Sequence, residues 1–522
     1  MPSSRGWLGS CHMPGQAGSA NRRHRVLPLE IHHLTRSTLR HRAVLYFLAV
    51  VISGKLTVLS LVGPSIWSDT GAYISFADAI LANGEAFHRI DWTGGSAAPA
   101  FVFRLAGYPL VLAVAKLLSP THYGSITVLF QIFLNMLAVT LIFRVTDCLA
   151  FSINQIIFAI TLYTLSDSLL LDNSLLSDSI YGSLFNIVLF SLIGHVVGCW
   201  RLTLVGTLGL GFLWGFSTWT RDSGIYFTYL PIILLTAIAF RTSGGVLRRL
   251  SHLLAFTAVV VAMVGAYAAL NKYRTGEVFF SITGVENWLR PVFDMAQYKY
   301  AEPFAGDDLV SETVRECMLD YGYTAQLEFI ERLHKRCECT PTQLQSLVYA
   351  KYLSTVVHHP LAYIQIIWRN FHYLGLAALL ADPVATVNQF AAYAMPVQHK
   401  IAPGLSIRNL MDLQQQFSVV TLSLMILNAL STVAATVLFS LFLFGVPYLA
   451  ARARCRREPI PPALAIVGFL WFSCVSVSVV FSLVHYEARH ALPILPAGCI
   501  GIVYVFSRLV SSRRSDVKSS LT

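Results

Sequence analysis

Apolar and polar residues do not alternate along most of this chain; the apolar ones come in long, nearly unbroken runs. A helix needs about 20 such residues to cross a hydrocarbon core of about 30 Å. Ten runs approach that length: Ala43 to Gly63, Ser125 to Phe143, Phe151 to Leu165, Ile180 to Val197, Leu202 to Trp219, Ile225 to Phe240, Leu253 to Leu270, Val420 to Leu449, Ala463 to Val484 and Ala491 to Phe506. They predict an all-α polytopic membrane protein with about ten transmembrane helices. A further apolar stretch, Leu361 to Leu380, follows Pro360, contains Arg369 and His372 and has Asp382 beside it, which suits a helix lying at the outer membrane surface.

Two shorter patterns sit between the first two runs. Tyr73, Phe76, Ala77, Ile80 and Leu81 recur at helical spacing, predicting a juxtamembrane helix that starts near Asp69 and ends at Gly84. Arg104 to Leu118 reads as a second apolar helix, again short for a crossing.

Charge orients the runs. Arg5, Arg22, Arg23, Arg25, Arg36, Arg40 and Arg42 precede the first run against the single acid Glu30, which places the N-terminus in the cytoplasm. Alternating from there, Arg144, Arg201, Arg241 with Arg248 and Arg249, the cluster Arg452 to Arg457, and Arg508 with Arg513, Arg514 and Lys518 all fall at cytoplasmic ends, provided that Leu361 to Leu380 does not cross. The organisation read this way is a disordered basic cytoplasmic tail (1–42), an N-terminal transmembrane catalytic module (43–270), an outer segment with the interfacial helix (271–417), C-terminal transmembrane helices (418–508) and a cytoplasmic tail (509–522). The first run is too long for a cleaved signal peptide and lacks a small-residue cleavage site.

Composition agrees. Of 522 residues 55% are hydrophobic and only 12% charged, with a mean hydropathy of +0.60, too few charges to clothe a soluble fold of this size. A soluble enzyme, a disordered chain and a fibrous repeat are excluded. The net charge of +11 then reports topology rather than a nucleic-acid partner. Among nine cysteines, only Cys317, Cys337 and Cys339 fall in the outer segment, where a disulfide from Cys317 to one of the other two is expected; Cys474 and Cys499 should simply pack.

The ionisable residues near the outer ends carry the candidate chemistry. Asp69 has two readings, a helix N-cap or a carboxylate facing a cavity that takes a proton from a hydroxyl. Asp167, Asp172 and Asp178 lie among apolar residues where the third run exits, and hydration at the interface is their plainest role. Arg221, in Trp219-Thr-Arg-Asp-Ser-Gly224, suits a phosphate, a lipid headgroup or a pair with Asp222. Arg489 and Glu487 open the last run in His485-Tyr-Glu-Ala-Arg-His-Ala-Leu-Pro-Ile-Leu-Pro496, as a local ion pair or as ligand groups. Trp288, in Glu286-Asn-Trp-Leu-Arg290, either stacks on a sugar ring or anchors at the interface. No Gly-rich phosphate loop, Gly-x-Ser-x-Gly or His-Glu-x-x-His is present.

Asp69 after the first run, Tyr73 four residues on, a helix closed by Asn83-Gly84, and then Arg104-x-x-Gly107-Tyr108-Pro109 with an apolar helix resemble the first periplasmic or lumenal loop of the GT-C membrane glycosyltransferases. These include the protein O-mannosyltransferases and the lipid A aminoarabinose transferases. The acids around Asp178, the glycine-rich fifth run ending at Arg221 and the Arg489-x-x-x-Pro493 element resemble later parts of the same enzymes. The chain departs from the family at Ala106, often Pro, and at Asp69-Thr70, often Asp-Glu or Asp-Ser. The resemblance implies transfer of a sugar from a polyprenyl or dolichyl phosphate carrier to a glycan, lipid or protein acceptor on the outer face, with inversion. Asp69 would be the catalytic base, with Asp178, Asp172 and Glu487 orienting the acceptor or a metal. Arg221, Arg489 and Arg104 would hold the donor phosphate, and a divalent cation, Mg or Mn, would be the one cofactor. It further implies a multi-pass protein of the bacterial inner membrane with its site facing the periplasm. A transporter or flippase is the main rival, but it usually places charges inside its spans and shows paired repeats; a non-catalytic assembly subunit is the third reading.

Overall fold

The computed structural model describes residues 29–67, 69–82, 84–89, 104–164, 168–241, 245–321, 326–371, 419–484 and 488–520. The chain divides into two units, Met1–Phe47 and Leu48–Thr522. The first holds the opening of helix α1 (Leu29–Val62). The second holds α2 (Thr70–Leu81), α3 (Gly107–Leu118), α4 (Tyr123–Cys148), α5 (Ile153–Thr164), α6 (Ser177–Val196), α7 (Leu204–Thr220), α8 (Tyr229–Arg241) and α9 (Val246–Thr275). It continues with α10 (Gly284–Gln297), α11 (Leu309–Tyr321), α12 (Gln326–Cys337), α13 (Pro341–His358), α14 (Pro360–Arg369), α15 (Val419–Cys455), α16 (Pro462–Val484) and α17 (Leu495–Ser520). Among the described residues no strand forms; there is one isolated parallel bridge, between Ser65 and Ser174.

This is an all-helical integral membrane protein. Each of the ten apolar runs coincides with helix to within a few residues, and six segments are long and apolar enough to cross on their own: Arg42–Ser60, Tyr123–Cys148, Ser177–Val196, Ser223–Phe240, Arg249–Thr275 and Pro462–Val484. α3, α5 and the apolar part of α17 are shorter. α6 is buried on nearly every face, as a helix at the centre of a bundle must be, with α4 and α7 against it. The two juxtamembrane helices form as their spacing predicts, and α2 buries Tyr73, Phe76 and Ala77.

A charged pair lies inside the bundle. The ammonium of Lys55 (α1) meets the carboxylate of Asp172, both side chains fully enclosed, and Ser179 donates its hydroxyl to the other carboxylate oxygen. Gln131 (α4) gives its amide protons to the carbonyls of Asp172 and Ser174, each at 2.9 Å, and accepts from the Tyr108 hydroxyl at 3.2 Å. Such a pair survives in a low-dielectric interior only because every polar atom of it is engaged.

Residues 271–321 and 326–371, the described parts of the segment read as the second outer one, form a packed helical module rather than a loop. Phe279, Val285, Leu289, Val292, Phe329, Leu333 and Val348 are among its buried core. α13 begins with a capping box, in which the Thr340 hydroxyl and the Gln343 side chain exchange hydrogen bonds with each other's backbone, and Glu277 accepts from the backbone and hydroxyl of Thr342 at 2.9 and 2.7 Å. α14 covers the first half of the expected interfacial helix and exposes Leu361, Ile364 and Trp368; residues 372–380 lie outside those described. On its other side Tyr363 donates to the carbonyl of Leu483 at 2.7 Å, and Asn370, just beyond the helix, to that of Ser482 at 3.2 Å.

The cysteine expectation is corrected. The disulfide in this module joins Cys337 to Cys339 across Glu338, while Cys317 faces the apolar core from α11. A second disulfide, Cys148–Cys199, links the end of α4 to the turn after α6.

Two outcomes are expected. Lys55→Met alone should destabilise the protein by about 3–5 kcal/mol because it strands a buried carboxylate, while Lys55→Met with Asp172→Leu should recover most of the loss; unfolding in detergent measures both. The second concerns acid. Burial pushes the His334 pKa below the ordinary 6.5. Burial also opposes the charges of Glu277 and Asp308, but hydrogen bonds from Thr340 and Thr342 to the first, and from Lys351 and Ser311 to the second, outweigh it and hold both pKa values low. All three shifts are downward, so the unfolded chain takes up protons more readily, and stability present at neutral pH is lost as pH falls. The loss begins at His334 below about 6.5 and continues at the two carboxylates. The melting temperature should therefore drop between about pH 7 and 5, and His334→Gln should flatten that part of the profile.

Candidate active site

The backbone after α1 is stitched to the loop before α6. Ser65 N–H donates to the carbonyl of Asn173 and Leu175 N–H to that of Ser65, both at 2.9 Å. The Thr70 hydroxyl accepts from Trp67 N–H at 2.9 Å and donates to the Leu175 carbonyl at 3.0 Å. These bonds hold the start of α2, with Asp69, beside the start of α6, with Asp178. Asp69 stands at the N-cap position of α2, yet its carboxylate caps nothing there. It accepts instead from Arg104 Nη2 at 3.1 Å and from Arg489 Nη1 at 2.9 Å. One turn along, the Tyr73 hydroxyl lies 3.1 Å from Ser177 Oγ, and its ring meets that of Tyr108 edge-on with centroids 5.0 Å apart.

Arg104 reaches this point because α3 begins in close contact with the end of α7. A Cβ on Gly107 would lie 2.5 Å from the carbonyl carbon of Trp219 and 2.7 Å from the nitrogen of Thr220, so only glycine permits the approach. The same contact brings in Arg221, the residue that ends α7, and its guanidinium pairs with Asp178. Asp222, one of the partners the sequence offered for it, accepts from the hydroxyl of Thr283, at the head of α10. Arg489 comes from the short 3-10 turn Ala488–Ala491 before α17, and its Nη1 lies 4.0 Å from Asp178 as well.

These side chains line one cavity of about 630 Å³. Asp69, Asp178, Arg104, Arg221 and Arg489 line it together with Glu286, Asn287, Trp288 and Arg290 of α10 and with Tyr352 and Tyr363. Leu483 and Val484, the last residues of the α16 span, also border it, so the cavity opens where a membrane helix ends. Arg104 sits between acids: burial works against its charge, but Glu286, Tyr73 and Asp69 outweigh burial and keep its pKa above the ordinary value. Among the described residues, four arginines (104, 221, 290, 489) and four acids (69, 178, 222, 286) line the cavity.

Asp172, expected to orient the acceptor or a metal, does not line this cavity: its carboxylate is enclosed with the Lys55 ammonium, and Gln131 of α4 holds its main-chain carbonyl. Glu487 and Asp167 lie outside the described residues. The carboxylates on the wall are met by guanidinium or hydroxyl donors, and no cluster of three His, Cys, Asp or Glu is arranged as metal ligands among the described residues. The residues present thus fit an anion better than they fit a divalent cation.

The Glu286–Arg290 segment singled out in the sequence does line the cavity, whereas Tyr352 and Tyr363 were not singled out. They come from α13 and α14, and no spacing links them to Asp69. Their one sequence signal is indirect: aromatic and basic residues repeated on amphipathic helices next to a stretch already read as interfacial.

No family model and no curated protein matches the chain. Among solved structures it is similar to the apo form of the Archaeoglobus fulgidus oligosaccharyltransferase, at 13% identity and a TM-score of 0.42, over 91% of this chain and 52% of that one. This chain therefore spans about half the length of the Archaeoglobus protein. It is also similar to ArnT from Cupriavidus metallidurans bound to undecaprenyl phosphate, at 13% identity and a TM-score of 0.33, over 88% of this chain and 77% of that one.

Proposed function

We propose that this protein is a membrane glycosyltransferase of GT-C type, which moves a sugar from a polyprenyl or dolichyl phosphate carrier to a hydroxyl of a glycan, lipid or protein acceptor. The observation that carries the reading is the convergence of Asp69 with three guanidiniums, Arg104, Arg221 and Arg489, in one cavity at the end of a membrane span. A lipid-borne donor keeps its isoprenoid in the bilayer and its sugar phosphate at the surface, so its catalytic groups belong at that level.

In this reading the arginines bind the phosphate through paired charge-assisted hydrogen bonds. The acceptor oxygen attacks the anomeric carbon and forms the new glycosidic bond. The bond from that carbon to the phosphate oxygen breaks, and its electron pair leaves with the prenyl phosphate. The acceptor's proton passes to Asp69. Arg221 and Arg489 offset the charge that grows on the departing phosphate, and attack opposite the leaving group inverts the anomeric centre. Asp178 positions Arg221 rather than reacting. The basic flanks orient the cavity away from the cytoplasm, which in a bacterial inner membrane is the periplasmic side.

Purified protein incubated with labelled polyprenyl-phosphate sugars and a membrane extract should transfer label. Asp69→Asn should lower that rate by about 10²- to 10⁴-fold, and Arg489→Met should raise the donor KM far more than that of the acceptor. Absence of transfer from every donor, with Asp69→Asn indistinguishable from wild type, would end this reading.

A further inference from the structure

Part of the cavity's lining is aromatic and belongs to the module of α10 to α14. The Trp288 ring lies 5.0 Å from that of Tyr352, tilted by 44°, and packs nearly edge-on with Tyr349 at 5.1 Å. Tyr352 meets Tyr363 edge-on at 5.9 Å, and their hydroxyls are 2.6 Å apart. The direction of that bond follows from the next one. Tyr363 spends its single hydroxyl proton on the Leu483 carbonyl at 2.7 Å, so the proton between the two tyrosines is that of Tyr352. Both phenols are thereby anchored to the end of α16. Trp288 is placed by its own helix: a Cβ on Gly284, one turn earlier, would lie 3.2 Å from the indole nitrogen, so the indole rests against bare backbone. Beside these rings the Asn287 side-chain amide lines the cavity with no hydrogen-bond partner among the described residues.

We infer that these aromatic residues seat the acceptor and that the acceptor is a saccharide, one of whose rings lies against Trp288 and Tyr352 while the Asn287 amide bonds hydroxyls at its edge. The inference rests on the reading of the cavity as a glycosyltransferase site. A pyranose presents C–H bonds on its faces and hydroxyls around its rim. The electron-rich face of an aromatic ring attracts the first, and an amide, which donates and accepts at once, suits the second. A peptide is recognised chiefly through strand or helix pairing and a lipid through unbroken apolar surface, whereas here rings alternate with polar side chains. The ring belongs to the acceptor because the donor is placed by other means, its phosphate by the bundle's arginines and its chain by lipid. Two residues before Trp288 on α10, Glu286 lies 3.8 Å from Arg104, which itself holds Asp69. A saccharide seated on Trp288 is thus next to the arginine that positions the base.

Saturation-transfer NMR on the full-length protein in lipid nanodiscs tests this, with aromatic protons irradiated and the methyl glycosides of glucose, galactose, mannose and N-acetylglucosamine as probes. At least one glycoside should receive saturation on the C–H protons of a ring face. Its affinity should fall about tenfold in Trp288→Leu and about threefold in Asn287→Ala. The second variant decides the matter if the first, whose ring packs on the module's core, does not fold. A capped serine-threonine dipeptide and farnesol, standing for protein and lipid acceptors, should give no Trp288-dependent signal. With the farnesyl phosphate ester of glucose saturating Asp69→Asn, the glycoside signal should persist. Farnesyl phosphate reports the donor site separately, and its binding should be lost in Arg489→Met. No glycoside binding, equal binding by wild type and both variants, a Trp288-dependent signal from the dipeptide or farnesol, or expulsion of the glycoside by the farnesyl ester overturns the saccharide seat. In each of those cases Arg489-dependent binding of farnesyl phosphate leaves the donor-site reading intact. No binding of farnesyl phosphate by wild type overturns both.

Discussion

The site depends on a short piece of backbone pairing. The residues after the first span and those before α6 are more than a hundred positions apart, yet two main-chain hydrogen bonds between Ser65 and its neighbours Asn173 and Leu175 lock them side by side. Asp69 and Asp178 each follow that bridge by four residues, so once it forms, both carboxylates must leave it toward the same space. Beside it the Gln131 amide engages the carbonyls of Asp172 and Ser174 that would otherwise be stranded in an apolar bundle, and the Asp172 carboxylate pairs with Lys55. The polar centre of the membrane domain thus supports the residues that line the cavity.

The cavity obeys the electrostatics of a weakly solvated place. Charges there are tolerable when each finds an opposite partner, and the wall of the cavity alternates acid and guanidinium accordingly.

Much of this was legible in the chain. Apolar run length marks the helices of the bundle, since lipid demands it, and the spacing of Tyr73, Phe76 and Ala77 marks the buried face of α2. Asp69, Arg104, Asp178, Arg221 and Arg489 stood out because charged residues are conspicuous at the ends of apolar runs, and the structure brings these five to one cavity. Gly107 explains the spacing of Arg104-x-x-Gly-Tyr-Pro in steric terms. Partnerships were not legible. Nothing local says that Arg221 turns to Asp178 rather than to adjacent Asp222, or that Asp172 meets a lysine from the first span, because those choices are made by packing between distant helices. The same holds for Tyr352 and Tyr363, delivered by a module whose own core decides where they point.

The joint between that module and the bundle is made in an unusual currency. Tyr363 and Asn370 bond to the main-chain oxygens of Leu483 and Ser482, in the last turn of α16, where helical carbonyls lack partners of their own. The module therefore serves as the C-terminal cap of a membrane span. Because a carbonyl is present whatever the side chain, α16 is free to vary its lipid-facing residues to suit bilayers of different thickness or composition without loosening its grip on the domain above.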